Sequence, residues 1–201
     1  MTVSSGDVNP RLGHHSLKCN IQSISYQQWK TWFWDQYIWF PIHQNQLIMA
    51  NTYSKIYLHY VFSPKYRQAL IRPEFEEALF LYIGGIVINL DQQIIAINGM
   101  PDHCHLLVRI RPTMTPSKLI QVVKANSSKW INDNKFLPVR FSWQVGSGIF
   151  SVDHHGLDKV TRYIENQKDH HNKDRFRQEY EVLLRQYNID FDNEYLFDFF
   201  D

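Results

Sequence analysis

The sequence predicts an α+β fold, in which a four-stranded antiparallel sheet carries two helices on one face. Three observations lead to this prediction. Hydrophobic patterns of strand and helix type follow one another in the order β-α-β-β-α-β, and turn or helix-start signals separate them. The chain has 201 residues, of which 44% are hydrophobic and 15% aromatic, which is enough for one domain with a full core. The order is that of the split βαβ, or ferredoxin-like, arrangement.

The first half of the pattern contains a strand, a helix and a second strand. Residues 56–62 are β-branched and aromatic and end before Ser63-Pro64, as is typical of a strand. Pro73 begins a helix, because proline fits the first helical turn. Residues 92–98 form the second strand. The apolar face of the helix consists of Phe75, Leu79, Tyr82 and Ile86.

The third strand and the second helix follow directly. The dipeptide Asn98-Gly99 is a tight-turn signal that leads into a strand over residues 103–110. The sequence TPS at residues 115–117 is a helix-start signal, and the helical pattern that follows it ends near Asn134. Apolar residues recur along this pattern, so we expect the helix to bury one face against the sheet.

The last part of the pattern is a fourth strand followed by a separate helix. Residues 141–152 are predicted as a strand that a flexible turn interrupts at residues 146–148. Residues 156–172 contain no proline and have apolar side chains at helical spacing, so we expect a C-terminal helix there. The side chains that would pack are Leu157, Val160 and Ile164.

Residues 1–48 differ from the rest of the chain. They contain four of the six tryptophans and show no sustained strand or helix period. Met49 stands directly before the first strand, and a chain that began there would have 201 − 48 = 153 residues, a common size for one domain. We therefore expect residues 1–48 to be an upstream extension outside the domain or a misassigned start. The domain would span residues 49–186, and an acidic, aromatic tail would follow over residues 187–201.

The charge is unevenly distributed along the chain. Lys and Arg outnumber Asp and Glu by eighteen to thirteen in residues 49–189, whereas residues 190–201 have five acidic side chains and no basic one. A basic domain is consistent with a polyanionic partner such as a nucleic acid, although a surplus of this size is also ordinary.

Cysteine use and hydropathy indicate the compartment. The two cysteines, Cys19 and Cys104, form no Cys-x-x-Cys pair and no disulfide framework. The N-terminus has no signal-peptide pattern, and the longest apolar run, residues 78–90, is too short to span a bilayer. We expect a cytoplasmic protein with no membrane partner.

The stretch MPDHCHLLV at residues 100–108 contains two histidines at strand spacing. His103 and His105 project from one face of a strand, whereas Cys104 points to the other face and into the core. Two neighbouring imidazoles are half of a metal site. The rest of the chain must supply a third ligand.

Two further groups of residues are candidates for a site. Lys65, Tyr66 and Arg67 follow the first strand and could bind phosphates and stack on a base, although a solvated loop is an equally good interpretation. On the C-terminal helix, Tyr163 and Gln167 are four residues apart and share a face. Without His103 and His105, the better interpretation of Tyr163 would be a half-buried packing residue.

These motifs carry a family resemblance. MPDHCHLLV resembles the HUH motif, and the sequence YIENQKDHH from Tyr163 resembles the nucleophile helix of single-tyrosine HUH transposases of bacterial insertion sequences, which include the REP-associated tyrosine transposases. The resemblance extends from about Met49 almost to the C-terminus. It includes the Lys-Tyr-Arg and Phe-Ser-Trp-Gln sequences, and the residues Phe176, Glu179 and Tyr180. Two departures are the small Cys104 inside the motif and the N-terminal extension.

The resemblance implies a mechanism and its partners. His103, His105 and Gln167 would hold one Mg²⁺ or Mn²⁺ ion, and Tyr163 would be the nucleophile that attacks single-stranded DNA. The product would be a 5′-phosphotyrosine and a free 3′-OH, so a second strand could be joined by transesterification. The DNA would carry a hairpin, for which Lys65, Tyr66 and Arg67 are the candidate contacts. The resemblance also implies a homodimer.

Two other functions remain open at the level of sequence. The first is a domesticated or inactive protein that binds a nucleic-acid hairpin without turnover. The second is a zinc-dependent hydrolase that needs no tyrosine. Zinc binds imidazole more tightly than Mg²⁺ does, and a third histidine could come from His154, His155, His170 or His171.

Overall fold

The structure, a computed structural model, describes residues 53–169 and 175–192. The chain divides into two units, Met1–Gln46 and Leu47–Asp201, and all the described residues lie in the second unit. The predicted extension over residues 1–48 and the tail beyond residue 192 lie outside the described residues, as do His170 and His171. Within the described ranges, no helix has both the length and the apolarity needed to cross a membrane.

The predicted fold class is confirmed, since four antiparallel strands form one sheet in the order β2-β3-β1-β4. The strands are β1 Ile56–Phe62, β2 Gln93–Met100, β3 His103–Ile110 and β4 Gly148–Val152. The helices are α1 Pro73–Asn89, α2 Pro116–Asp133, α3 Leu157–Glu165 and α4 Arg175–Gln186. Strands β1 and β3 are therefore central, and both are nearly continuous runs of buried residues.

One face of the sheet packs on α1 and α2 and forms the main core. Because side chains alternate along a strand, this face consists of the even-numbered residues of β1 and β3. Cys104 is fully buried there, as the sequence predicts, and burial raises the pKa of its thiol well above the ordinary value. The core includes Leu58, Tyr60, Phe62, Leu106, Val108, Leu79, Ile83, Leu119 and Val123.

The other face of the sheet carries the histidines and is covered by the C-terminal helices. Leu107 on β3 packs against Ile164 of α3. Val61 on β1 packs against Phe176 and Leu184 of α4. The buried polar side chains of His59, His103 and His105 lie on this same face of the sheet.

The turn between β2 and β3 lies three residues later than predicted. Strand β2 continues through Gly99 to Met100, and the turn is at Pro101-Asp102. The Asn98 side chain explains the difference, because its amide donates to the backbone oxygen of Glu165 at 2.9 Å and so binds the end of α3. At Gly99 an added Cβ would lie 2.3 Å from the backbone oxygen of His103, so the Asn-Gly pair serves close packing rather than a turn.

Two other predicted elements are shorter than expected. Of residues 141–152 only Gly148–Val152 is a strand; before it, Trp143 forms an isolated bridge with Pro64 and donates from Nε1 to Ser127 Oγ at 2.8 Å. The helix predicted over residues 156–172 ends at Glu165, and Gln167–Asp169 is a separate 3₁₀ turn. Tyr163 and Gln167 therefore do not share one α-helix.

Candidate active site

The two histidines predicted from their spacing lie side by side on β3. His103 and His105 are almost completely buried, and their ring centroids are 5.0 Å apart at an interplanar angle of 84°. They stand at the start of β3, where Val61 and Asn98 on the neighbouring strands pair with His105. The strand alternation that places them on one face is a local property, which is why the sequence predicts it.

A carboxylate from α4 completes the group. The ligand atoms of His103, His105 and Glu179 all lie within 4.8 Å of one another, the only such group that the described residues form. His105 Nε2 is 3.2 Å from Glu179 Oε1. Burial raises the pKa of the Glu179 carboxyl to about 7. Glu179 is part of the family resemblance but not of the ligand set predicted from the sequence, because no local spacing connects α4 with β3.

Gln167, the third ligand that the resemblance implies, reaches the same place. Its side chain is buried, and Nε2 donates to Glu179 Oε1 at 3.2 Å. The 3₁₀ turn that begins at Gln167 brings it there, rather than the regular helix that we expected. The site therefore contains a carboxylate in addition to the predicted amide.

A second set of residues contacts His103 on its Nδ1 side. His103 Nδ1 is 2.8 Å from Asp102 Oδ1, and Arg67 Nη2 donates to Asp102 Oδ2 at 3.1 Å. Burial raises the pKa of the Asp102 carboxyl, but the hydrogen bonds and charges of His103 and Arg67 lower it by more, so the net direction is downward. Phe176 stacks on His103 with centroids 3.9 Å apart and an interplanar angle of 11°. These contacts hold the His103 ring at its Nδ1 edge and on one face.

His59 on β1 is a site residue that the sequence indicates only as part of a strand. It is buried, and its Nε2 lies 2.9 Å from His105 Nδ1. Burial and, next, the charge of His105 lower the pKa of His59 to about 3, so the ring is neutral at ordinary pH. A signal existed, since alternation places His59 on the same face of β1 as Tyr57 and Val61. Only the pairing of β1 with β3 brings it to His105.

Tyr163 lies next to the histidines of its own chain. Its ring centroid is 5.7 Å from that of His105 and 6.4 Å from that of His59, with nearly perpendicular planes. The hydroxyl oxygen is buried and has no hydrogen-bond partner within residues 53–169 and 175–192. Tyr163 also packs with Ile164 in the cluster between α3 and the sheet. Tyr163 is therefore both a packing residue and a residue of the site.

The basic and aromatic sequence at residues 65–67 forms a short 3₁₀ turn at the end of β1. Tyr66 and Arg67 have φ angles of 61° and 52°, a left-handed conformation that costs non-glycine residues roughly 1 kcal/mol or more each. Lys65 is exposed, and its Nζ lies 4.7 Å from the centroid of the Tyr66 ring. Arg67 instead turns inward to Asp102. The turn thus joins Lys65 and the Tyr66 ring at the surface to the buried site, which Arg67 reaches through Asp102.

The donor set suits a divalent ion. Two buried imidazoles, a half-buried carboxylate and a buried amide lie together. The carboxylate makes the set harder than the two imidazoles and one amide expected from the sequence, which favours Mg²⁺ or Mn²⁺, while the imidazoles suit zinc. His154 and His155 are exposed and do not belong to this group, and His170 and His171 lie outside the described residues.

The chain is similar to one protein family and to two solved structures, all of them described as transposases. A family described as "Transposase IS200 like" matches residues 52–167, which is more than half of the 201-residue chain. A search of curated proteins finds none that matches. A crystal structure of a proposed transposase from Deinococcus radiodurans R1 is 22% identical, with 59% of this chain and 95% of that chain covered at a TM-score of 0.48. A REP-associated tyrosine transposase bound to a REP hairpin is 14% identical, with 58% and 69% covered at a TM-score of 0.45.

Proposed function

The chain belongs to the IS200-like transposase family, and we propose that it cleaves and rejoins single-stranded DNA at the ends of an insertion sequence. One observation carries the proposal. The ring of Tyr163 stands 5.7 Å from the ring of His105, directly beside the group formed by His103, His105 and Glu179. A nucleophile and a site for a divalent ion within one chain are the two components that a metal-assisted phosphoryl transfer needs.

His103, His105 and Glu179 would hold one Mg²⁺ or Mn²⁺ ion, with Gln167 as the further ligand that the family resemblance implies. When bound, the ion would neutralise charge on a non-bridging oxygen of the scissile phosphate. Asp102 and His59 occupy the Nδ1 side of the two histidines, which leaves both Nε2 atoms to face the centre of the site.

Tyr163 would perform the covalent step. Its oxygen forms a bond to the phosphorus as the bond to the 3′ oxygen of the preceding nucleotide breaks. The phenol proton leaves Tyr163, the departing 3′ oxygen takes up a proton, and the products are a 5′-phosphotyrosine and a free 3′-OH. A later attack by another 3′-OH reverses these events and releases Tyr163. Because the phosphodiester energy is conserved in the intermediate, the joining step needs no nucleotide triphosphate.

The DNA would be single-stranded with a hairpin, and the protein would act in the cytoplasm as a homodimer. Lys65 is the exposed cation that can contact a phosphate, and Tyr66 is the ring on which a base can stack. The DNA-binding role proposed for Arg67 would be combined with its ion pair to Asp102. Light scattering of the purified protein would test the homodimer.

A covalent-adduct assay tests the proposal. The protein is incubated with Mg²⁺ and single-stranded DNA that carries a subterminal hairpin and a label at the 5′ or the 3′ end, and adducts that survive denaturation are counted. Tyr163→Phe should form none. Tyr53→Phe is the matched control, because the Tyr53 side chain is 95% exposed and is not one of the site residues. An adduct with Tyr163→Phe would refute the mechanism.

The same assay tests the histidines. His105→Ala should abolish cleavage but leave hairpin affinity within about tenfold, because affinity for DNA comes chiefly from phosphate contacts outside the metal site. A parallel loss of cleavage and of binding would mean that the histidine has a structural role. Binding of the hairpin by the unaltered protein without any cleavage would favour a domesticated hairpin-binding protein.

The ligand set itself supports a second candidate, a zinc-dependent hydrolase. Two histidines and a glutamate with an open position form one of the common catalytic zinc sets, and here they are His103, His105 and Glu179. Such an enzyme would release a hydrolysed product with Zn²⁺ and would not need Tyr163. Product release without a covalent intermediate, unchanged by Tyr163→Phe, would favour this candidate.

A further inference from the structure

We propose that His59 is a positioning residue of the metal site, which holds the Nδ1 proton of His105 so that Nε2 of His105 is available to the ion. The proposal rests on the metal site of the proposed function and adds a residue to it. No local motif marks His59, which lies on β1, and its relation to the site arises only from the pairing of β1 with β3.

The position of the proton on His105 decides which of its nitrogens can bind an ion. A neutral imidazole carries one proton, so His105 can coordinate an ion through Nε2 only when that proton is on Nδ1. A buried N–H needs an acceptor. The acceptor at hand is His59 Nε2, which lies 2.9 Å from His105 Nδ1, and it can accept when His59 carries its own proton on Nδ1.

The alternative tautomer shows why this hydrogen bond matters. If His59 Nε2 donated to His105 Nδ1, the His105 proton would have to be on Nε2, where Glu179 Oε1 lies 3.2 Å away. That arrangement points a proton at the place of the ion. The direction of the His59–His105 hydrogen bond therefore decides whether His105 is a ligand or a donor to Glu179.

His59 is rigidly held in the position that this role needs. It is 2% exposed and lies in the middle of the central strand β1, opposite Leu107 on one side and Phe150 on the other. Its ring is stacked on that of His105, with centroids 5.2 Å apart and an interplanar angle of 26°. Because two strands and the stacking hold the His59 ring in place, this ring fixes both the orientation of His105 and the position of the His105 proton.

The same arrangement occurs at the other histidine. Asp102 Oδ1 lies 2.8 Å from Nδ1 of His103, and His59 Nε2 lies 2.9 Å from Nδ1 of His105. Each metal-facing imidazole thus has one partner on its Nδ1 side, a carboxylate in one case and a neutral ring in the other. Such outer partners typically contribute 10- to 100-fold to metal affinity, about the range expected here.

Two substitutions separate positioning from packing. His59→Leu removes the acceptor and puts an apolar side chain in its place, whereas His59→Gln places an amide oxygen near the former Nε2. Mn²⁺ affinity, measured by titration calorimetry, should fall about 10- to 100-fold in His59→Leu and less in His59→Gln. Hairpin binding and urea unfolding in the presence of a chelator should be similar in both variants, since neither measures the ion.

The outcomes distinguish this inference from the function on which it rests. If His105→Ala loses Mn²⁺ but His59→Leu binds it as the unaltered protein does, the metal site stands and the positioning role is wrong. If His105→Ala also binds Mn²⁺ normally, the proposed metal site is wrong and the role of His59 falls with it.

A measurement on the unaltered protein covers the case in which His59→Leu does not fold. Nitrogen-15 NMR of the Mg²⁺-loaded protein, with His105 signals assigned by their loss in His105→Ala, should place the His105 proton on Nδ1. It should also reveal a scalar coupling across the hydrogen bond to His59 Nε2. A proton on Nδ1 without that coupling would refute the role of His59.

Discussion

The chemistry of the Glu179 carboxyl depends strongly on its surroundings. In water its carboxyl would be ionised at neutral pH, but burial beside two imidazoles and Gln167 raises its pKa to about 7. The neutral form therefore dominates below pH 7 in the ion-free protein, and the carboxylate dominates above it. A divalent ion binds the carboxylate, so binding must release the proton.

The pH dependence of metal binding follows from that pKa. Mn²⁺ affinity should rise with pH by up to about tenfold per unit below pH 7 and level off above it, because one proton is displaced. Titration calorimetry between pH 5.5 and 8 measures this slope. Glu179→Gln should bind Mn²⁺ more weakly, and its affinity should depend less steeply on pH. The remaining pH dependence would come from the histidines alone. An equal slope in both proteins would mean that Glu179 is not a ligand.

Among the elements, α3 determines where the tyrosine lies. The helix has nine residues, so it is too short to be stable by itself and depends on its packing. Ile164 is fully buried against Leu107 and Val152, and Asn98 binds the backbone oxygen of Glu165 at its end. These two contacts hold Tyr163, the neighbour of Ile164, above His105.

Loss of the Ile164 side chain should therefore affect stability and chemistry together. Ile164→Ala leaves a cavity between α3 and the sheet and should lower the free energy of unfolding by about 2–5 kcal/mol. Urea denaturation measures this change, and the adduct assay should record less product at equal folded protein. Lys159→Ala, on the exposed side of the same helix, is the control and should change little. Equal stability of the two variants would contradict the anchoring of α3 by Ile164.

For the molecule as a whole, the described site is built from the second unit of the chain, Leu47–Asp201. The sheet, both layers of helices and every residue named at the site lie between residues 53 and 192. We propose that the catalytic domain spans residues 49–186 and that residues 1–48 are an extension or a misassigned start. N-terminal sequencing of the natural protein tests the start directly.

A shortened chain tests whether the domain is sufficient. A protein that begins at Met49 should have the same urea midpoint as the full chain and the same yield of covalent adduct, because it retains all four strands. A protein that begins at Ser63 lacks the central strand β1 and should not fold, which makes it the negative control. A large loss of stability in the chain from Met49 would show that residues 1–48 are part of the folded domain.

The sequence by itself determined the features that depend on local periodicity. Alternation along β3 places His103 and His105 on one face and Cys104 in the core, and the order of strand and helix patterns predicts the split βαβ sheet. The ends of the elements were less predictable where a side chain contacts a residue distant in the sequence. Asn98 is an example, because its side-chain amide binds the end of α3 and the residue does not form the predicted turn.

Only the tertiary structure decided which residues surround the histidines. Glu179 on α4 and His59 on β1 contact His105, and Arg67 binds Asp102, the partner of His103. Each contact depends on the packing of elements that are distant in the sequence. Burial then changes their chemistry: it raises the pKa of Glu179 and lowers that of His59. Neither change can be predicted from spacing, because the desolvation that causes it exists only after the helices cover the sheet.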